Sequence, residues 1–251
     1  MSEVRVVRLL KADSFGRVEW LERGGEQRIR RVACGGRIPG SRLVAHILLG
    51  RERRALLALE GVAGVPQLAD ETDFTRAPSL DGQVPSSSDV GLRTFVAGAP
   101  LHKAELLPED FFERLGELVR ELHARGVCHN DLHKEQNVIV GEGGWPWLID
   151  FQLASCHSPR SRKFASRARD DLRHVAKHRR RYLRYVPSET PREIEKLPRR
   201  SLIAAIWRRT AKPLYNFVTR SLLRTRDGEE RRETLGAWPR WTAPVGPRPS
   251  N

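Results

Sequence analysis

The stretch that decides the fold is Val127 to Leu153, VCHNDLHKEQNVIVGEGGWPWLIDFQL. It opens with a polar loop, which is followed by the apolar run Val138 to Val140. A glycine-rich turn, Gly141 to Gly144, separates this run from a second one that leads into Asp150. Two short apolar runs joined by such a turn predict a β-hairpin. We therefore expect a loop, a hairpin and then an acidic loop.

Three polar residues fall at one end of this predicted hairpin. Asp131 and Asn137 come before its first strand, and Asp150 follows its second strand. Two carboxylates and an amide oxygen make a hard-oxygen site, which suits Mg²⁺ together with phosphate. The sequence therefore predicts a metal and phosphate site at this end of the hairpin.

The same stretch resembles the catalytic core of the protein-kinase-like superfamily. His129-Asn130-Asp131 is similar to the H-R-D motif of that family, Asn137 to its catalytic-loop Asn, and Asp150-Phe151-Gln152 to its D-F-G. Two departures stand out: Asn137 lies six residues after Asp131 instead of the usual five, and Gln152 replaces the Gly. The nearest likeness is to small atypical bacterial kinases, of the lipopolysaccharide kinase and RIO-like kind.

The resemblance implies an α+β, bilobal protein-kinase-like fold. Its small N-lobe, built on an antiparallel sheet, would be residues 1–96. A minimal, mostly helical C-lobe with a basic helical tail would be residues 97–225, and residues 226–251 would be an irregular C-terminal tail.

The resemblance also implies site residues and cofactors, which are ATP and Mg²⁺. Asp131 would accept the proton of an acceptor hydroxyl, and Lys134 would steady the transferring phosphoryl group. Asn137 and Asp150 would hold the metal. His129 is expected to be a buried structural histidine.

In the N-lobe, we predict three antiparallel strands at Val4–Leu10, Arg17–Leu21 and Gln27–Ala33. The phosphate-covering loop would be Lys11 to Gly16, where Gly16 is the only glycine. Backbone groups around Phe95 and Val96 would bind adenine. A Pro-, Ser- and Gly-rich loop is expected from Thr75 to Ser88.

The third strand has no Lys to pair with the phosphates, and its alternation makes Arg31 the first substitute and Arg30 the second. The alternative interpretation is that these arginines simply face the solvent. A helix from Ser41, its predicted N-cap, to Leu59 carries Glu52 on its apolar side. A carboxylate there needs a cation, which predicts an Arg31–Glu52 ion pair.

Two more helices are predicted, at Pro108–Ala124 and from Asp171 to about Tyr185. By the resemblance, Asp171 or Asp170 bonds back to the catalytic-loop backbone; the alternative is plain N-capping. Beyond them, a short helix to about Leu197 and a basic amphipathic pattern at Ser201–Leu223 are expected. The latter would pack on the C-lobe or lie on an anionic membrane face.

Composition limits the class of protein. The 251 residues are 39% hydrophobic, with no 18-residue apolar run and no signal-peptide pattern at the start. The three cysteines lack metal-ligand spacing and are interpreted as reduced thiols of a cytosolic protein. The net charge is +14, but residues 1–157 sum to about −2 and residues 158–251 to about +16. Such a field attracts polyanions, unless it is simply a solvated basic surface.

These observations predict an ATP- and Mg²⁺-dependent phosphotransferase with a hydroxyl acceptor. The basic C-terminal third favours an anionic acceptor, of the sugar or lipopolysaccharide type, and peripheral contact with the inner membrane face. Protein Ser/Thr is the other acceptor class. The alternative function is a pseudokinase that acts as a binding or scaffold module. No motif for specific nucleic-acid binding is present.

Overall fold

The computed structural model describes residues 3–36, 39–157, 161–184 and 238–244. They form an α+β structure with antiparallel sheets and several helices, as predicted. The chain divides into two compact units. The first unit contains Met1–Gly61, Val65–Val96 and Asp150–Leu153, and the second contains Val62–Gly64, Ala97–Ile149 and Ala154–Asn251.

The first unit is built on a four-stranded antiparallel sheet in the order β1-β2-β3-β4. Its strands are β1 (Arg5–Asp13), β2 (Gly16–Arg23), β3 (Glu26–Val32) and β4 (Val90–Thr94), and its helices are α1 (Ser41–Ala58) and α2 (Thr72–Arg76). Consecutive strands joined by short turns pair antiparallel, which explains the β1-β2-β3 order. Strand β4 reaches β3 only after the long segment that holds both helices.

Three local predictions for this unit are wrong. The loop predicted from Thr75 to Ser88 starts too early, because Thr75 and Arg76 are the last residues of α2. Lys11 to Asp13 are not part of a loop but extend β1, because they pair with Val18 to Gly16 of β2. Ser41 is not the N-cap of α1: the cap is Gly40, with φ at 78°. The hydroxyl of Ser41 instead accepts a hydrogen bond from the Gly36 amide at 2.9 Å.

Leu21 of β2, Leu92 of β4 and Phe74 of α2 form a buried apolar cluster, which packs α2 against the sheet. Arg30 is fully buried beside it, and its guanidinium donates to Glu19 Oε2 at 2.7 and 2.9 Å. The same guanidinium donates to the Phe74 carbonyl at 3.0 Å. A buried charge requires such pairing, so Arg30 serves the packing of α2.

In its described residues, the second unit has three small sheets and two long helices. Its strands are β5 (Gly98–Pro100), β6 (Leu106–Pro108), β7 (Val127–Cys128), β8 (Val138–Gly141), β9 (Pro146–Leu148), β10 (Ser155–Cys156) and β11 (Arg240–Thr242), and its helices are α3 (Phe111–Ala124) and α4 (Arg162–Leu183). Strands β8 and β9 pair antiparallel, which confirms the predicted hairpin. Strand β5 adds to β8, β7 pairs with β10, and β6 pairs with β11.

Helices α3 and α4 pack together in this unit. The apolar stripe of α3 is buried as predicted, including Phe112, Leu115 and Val119. The predicted start of α4 at Asp171 is wrong, since the helix begins at Arg162 after the N-cap Ser161, whose hydroxyl accepts from the Phe164 amide at 3.0 Å. Asp171 therefore lies in the middle of a helix.

The C-terminal predictions meet the structure only at residues 238–244. There Arg240–Thr242 pairs parallel with Leu106–Pro108, so irregular structure was the wrong prediction for these three residues. Trp238 packs edge-on against Tyr182, with ring centroids 5.2 Å apart. The helices predicted to end near Leu197 and to span Ser201–Leu223 lie outside the described residues.

No helix in the described residues combines the length and the hydropathy that crossing a bilayer requires.

Candidate functional site

Asp131 is the centre of the polar loop between β7 and β8. Its carboxylate is buried, and its Oδ2 accepts a hydrogen bond from Asn137 Nδ2 at 3.0 Å. The same amide nitrogen donates to the Asp131 carbonyl at 3.0 Å, which ties the two ends of the loop together. The structure thus brings together two of the predicted site residues, although the spacing between them is one residue longer than in the family.

Two basic side chains contact this carboxylate. Lys134 Nζ lies 3.2 Å from Asp131 Oδ2, and His133 Nδ1 lies 3.1 Å from Oδ1. Burial by itself would raise the pKa of the Asp131 carboxyl, but the His133 hydrogen bond and the Lys134 charge outweigh burial and lower that pKa below its ordinary value. Asp131 is therefore an ionised carboxylate at neutral pH, able to accept a hydrogen bond from a hydroxyl.

Helix α4 positions the backbone that carries Asp131. Asp171 is buried, and its two oxygens accept from the amides of His129 at 2.8 Å and Asn130 at 2.9 Å. This confirms the predicted bond back to the loop and selects Asp171 over Asp170. Asn130 adopts φ of 66°, a left-handed conformation that non-glycine residues seldom take. The two hydrogen bonds from the backbone amides to Asp171 hold it in this conformation.

Two histidines complete the support of the loop. His129 is fully buried, as predicted, with Nε2 3.0 Å from the Ile149 carbonyl. On α4, Nε2 of the buried His178 lies 2.7 Å from the Leu132 carbonyl. Burial lowers the pKa of His178 to about 4, so the ring is neutral at pH 7 and Nε2–H donates to that carbonyl. The polar loop is thus bonded on both sides of Asp131.

His123, Cys128 and Asp171 place one possible ligand atom each within 4.8 Å of one another. The carboxylate of Asp171 is already bonded to two backbone amides. Burial, with a smaller effect of the Asp171 charge, raises the pKa of the Cys128 thiol to about 12, so no thiolate is present at pH 7. The three side chains are better explained as packing around the loop than as a metal centre.

The first unit carries a second polar cluster, centred on Glu52 of α1. Glu52 is buried, and its Oε1 binds the guanidinium of Arg93 on β4. Arg31 Nη1 of β3 lies 3.9 Å from Oε2, so the predicted Arg31–Glu52 pair is present but is the weaker of the two contacts. Arg30 is bonded to Glu19, so Arg31 is the arginine of β3 that contacts this cluster.

Asp150 and Gln152 extend this cluster. Gln152 Nε2 donates to Asp150 Oδ2 at 2.9 Å, and Gln152 Oε1 accepts from Arg31 Nη2 at 2.6 Å. The other oxygen of Asp150, Oδ1, is buried without a hydrogen-bond partner among the described residues. Asp150, like Asn130, has φ of 66°. A buried, unpaired carboxylate oxygen is costly, and a bound cation would satisfy it.

The remaining predicted residues are in the first unit too. Gly16 has φ of 151°, and a Cβ there would lie 2.2 Å from the Val32 carbonyl oxygen, so the close approach of β2 to β3 already requires glycine. Phe95 stacks on Trp20 with ring centroids 4.9 Å apart. Val96 ends the segment Val65–Val96 of the first unit, and the chain enters the second unit at Ala97.

Sequence reasoning missed two members of the Glu52 cluster. Arg93 lies on β4 and contacts Glu52 of α1. No local sequence pattern around β4 distinguishes Arg93 from a surface arginine. Burial lowers the pKa of Arg93 to about 10, which keeps it charged at pH 7. In the sequence, Gln152 stands out as a departure from D-F-G, and its polar side chain is the signal that it could bond to neighbouring polar groups.

No family model matches the chain. The chain is similar to a protein named probable SapB synthase from Streptomyces coelicolor, with 36% identity over 122 residues. The match covers 42% of this chain and 12% of that protein, so the chain corresponds to a small part of the relative's length.

Proposed function

We propose that the protein is an ATP- and Mg²⁺-dependent phosphotransferase that transfers the γ-phosphate to a hydroxyl acceptor. The observation that carries this proposal is the buried, ionised Asp131, bonded to Asn137 and supported by Asp171. The proposal includes the bilobal protein-kinase-like fold, with residues 1–96 and 97–225 as its lobes, and a relationship to small atypical bacterial kinases.

Asp131 is the proposed base. A general base must be ionised and must be held within hydrogen-bond reach of the proton it accepts. The lowered pKa of Asp131 supports the first condition. The Asn137 amide and the loop backbone bonded to Asp171 hold the carboxylate in one position, as the second condition requires of a base. Lys134, 3.2 Å from Asp131, would place a positive charge beside the transferring phosphoryl group.

Asn137 and Asp150 are the proposed metal ligands. Asp150 Oδ1 fits this role because it is buried and has no hydrogen-bond partner in the described part of the chain. Asn137 uses its amide nitrogen toward Asp131, and its amide oxygen is the atom that an Asn offers to a hard cation. When bound, Mg²⁺ would neutralise phosphate charge.

Arg31 and Glu52 are the proposed nucleotide-aligning pair, with Arg93 as a second cation on Glu52. An arginine offers phosphate a planar fork of donors in place of the point charge of a lysine. Gly16 and the backbone at Phe95 and Val96 are proposed to contact the nucleotide. These assignments rest on the resemblance and on the position of Arg31 beside Glu52.

Binding of ATP with Mg²⁺ should raise the melting temperature of the full-length protein but not that of Asp150→Asn. A ligand at about 100 times its Kd stabilises by roughly 2.7 kcal/mol, which corresponds to a shift of about 5–10 °C for a chain of this size. The measurement is thermal unfolding with ATP and MgCl₂, with ATP and EDTA, and without ligand. Asp81→Asn, at an exposed aspartate of the same unit, is the matched control and should respond like the wild type. No shift in the wild type would contradict the proposal.

The acceptor is proposed to be anionic, and the location cytoplasmic with peripheral contact to the inner membrane face. Helix α4 supports this, because it displays a row of exposed basic side chains and the buried face carries its apolar residues. The exposed basic residues are Arg162, Lys163, Arg167, Arg169, Lys177 and Arg180. Protein Ser/Thr remains the second acceptor class, to be separated from anionic sugars by an acceptor screen.

Charge reversal on α4 should weaken binding to anionic vesicles. Each basic residue near an anionic surface contributes about 1 kcal/mol, so replacing Arg169, Lys177 and Arg180 by Glu should lower the partition coefficient by at least roughly 100-fold at low salt. The measurement is co-sedimentation with vesicles of anionic or of neutral lipid. The control reverses three exposed arginines of α1, Arg51, Arg53 and Arg54, and should lose less. Equal losses in both variants would show that α4 is not the contact.

The alternative function is a pseudokinase that acts as a binding or scaffold module. Two observations favour it. Strand β3 carries arginines where a kinase-like site would have Lys, and β1 and β2 form a tight hairpin in place of a glycine-rich loop. The absence of any nucleotide-dependent thermal shift would favour this function over the enzyme.

A further inference from the structure

Gln152 lies between two residues of the proposed site and bonds to both of them. Its Nε2 donates to Asp150 Oδ2 at 2.9 Å, and its Oε1 accepts from Arg31 Nη2 at 2.6 Å. Since both ends of the amide are used, the orientation of the side chain is determined by its two partners. A glycine at this position, as in the kinase motif, could make neither contact.

The two oxygens of Asp150 differ as a result. Oδ2 is bonded to Gln152, and Oδ1 is buried with no hydrogen-bond partner among the described residues. The backbone at Asp150 has φ of 66°, a conformation rare for residues other than glycine. The structure of the loop, and not the intrinsic backbone preference of an aspartate, therefore determines where the side chain lies. One oxygen is therefore held, and the other is left to interact with a ligand.

We infer that Gln152 is a positioning residue that occupies Asp150 Oδ2, so that Asp150 presents Oδ1 alone to a divalent cation. This inference rests on the proposed function. Coordination through a single oxygen suits Mg²⁺, which requires six ligands in near-octahedral geometry. Ca²⁺ binds six to eight oxygens and readily takes both oxygens of a carboxylate, so Gln152 disfavours it.

The same amide links the metal ligand to the arginine of the third strand. Arg31 is buried, with Nη2 on Gln152, Nη1 near Glu52, and Nε without a hydrogen-bond partner in the described part of the chain. Gln152 and Glu52 thus restrict the guanidinium from two sides. Displacement of Gln152 would release Arg31 and Asp150 together, which couples the proposed phosphate-binding cation to the metal ligand.

Gln152→Met tests this inference, because methionine has nearly the length of glutamine and neither donates to Asp150 nor accepts from Arg31. The readout is the Mg²⁺ concentration at the midpoint of the thermal shift produced by a non-hydrolysable ATP analogue, repeated with Ca²⁺. Loss of a side chain that orients a metal ligand typically costs 10- to 100-fold in metal affinity. We expect the Mg²⁺ midpoint to rise by about that factor, and the Ca²⁺ midpoint to rise less, because Oδ2 becomes available to Ca²⁺.

Three further proteins separate the outcomes. Gln83→Met makes the same change at an exposed glutamine of the first unit and should keep both midpoints. Asp150→Asn should lose the metal-dependent shift. If the wild type shifts, Asp150→Asn does not, and Gln152→Met matches the wild type, the inference is overturned while the proposed function stands. A parallel rise for Mg²⁺ and Ca²⁺ would also overturn it, since general loosening of the site affects both ions alike. If the wild type itself shows no shift, the proposed function fails first.

Discussion

Asp131→Asn is expected to lower the rate of phosphoryl transfer by about 10²- to 10⁴-fold, the usual contribution of a positioned general base. Asparagine has the same size and can still accept from Asn137 Nδ2, but it has no charge and cannot take a proton. Nucleotide binding should change little, so the loss should appear in kcat more than in KM for ATP. The measurement is the initial rate of ADP release, with an acceptor found by screening anionic sugars and Ser-containing peptides.

The pH dependence distinguishes this role from a purely structural one. Because the His133 hydrogen bond and the Lys134 charge lower the pKa of Asp131 against the effect of burial, the carboxylate stays ionised through the neutral range. Its protonation can reduce the wild-type rate only as the pH falls through that lowered pKa. Asp110→Asn, at an aspartate that pairs with Arg114 on α3, is the control and should keep the wild-type rate. Retention of more than half the rate in Asp131→Asn would remove Asp131 as the base.

The second large effect concerns folding. Asp171→Ala should lower the free energy of unfolding by about 3 kcal/mol, because it leaves the amides of buried His129 and half-buried Asn130 without an acceptor, at roughly 1–3 kcal/mol each. For a chain of this size the melting temperature should fall by about 10 °C. This prediction does not depend on the proposed function, and urea or thermal unfolding of the ligand-free protein measures it.

A matched substitution lies one position earlier on the same helix. Asp170→Ala removes a half-buried carboxylate and leaves Asp171 in place as the acceptor of the two loop amides, so its loss of stability should be much smaller. Asp171→Asn keeps one acceptor oxygen and should fall between the two. Equal stability of the Asp171→Ala and Asp170→Ala variants would show that the loop does not depend on Asp171.

Much of the architecture was predictable because it follows from local pattern. The apolar runs and glycines between Val138 and Leu148 predicted the hairpin, and the period of the apolar residues predicted α3. The first three strands were found for the same reason, each within a few residues of its observed bounds. Helix α4 was found with the wrong start, since its first turns are basic and expose most of their side chains, which weakens the apolar signal.

The contacts of the predicted residues also differ in how far the sequence predicts them. Asp131 and Asn137 are six residues apart in one loop, and their contact follows from the resemblance and the short separation. The choice between Arg30 and Arg31 could be ranked from strand alternation, but only the packing of α2 shows that Arg30 is bonded to Glu19 and to backbone carbonyls.

The sequence by itself determined the first three strands, the helices α1 and α3, the hairpin, the polar loop and the identity of its acidic residues, because these depend on side-chain periodicity and on turns within a few residues. Tertiary structure alone decided the partners of the buried charges. Glu52 binds Arg93 across 41 positions, and Arg31 reaches Gln152 across 121. Such partners are chosen when distant strands, helices and loops pack together and every buried charge must find a counter-charge or a hydrogen bond, a condition that no local stretch of the chain can express.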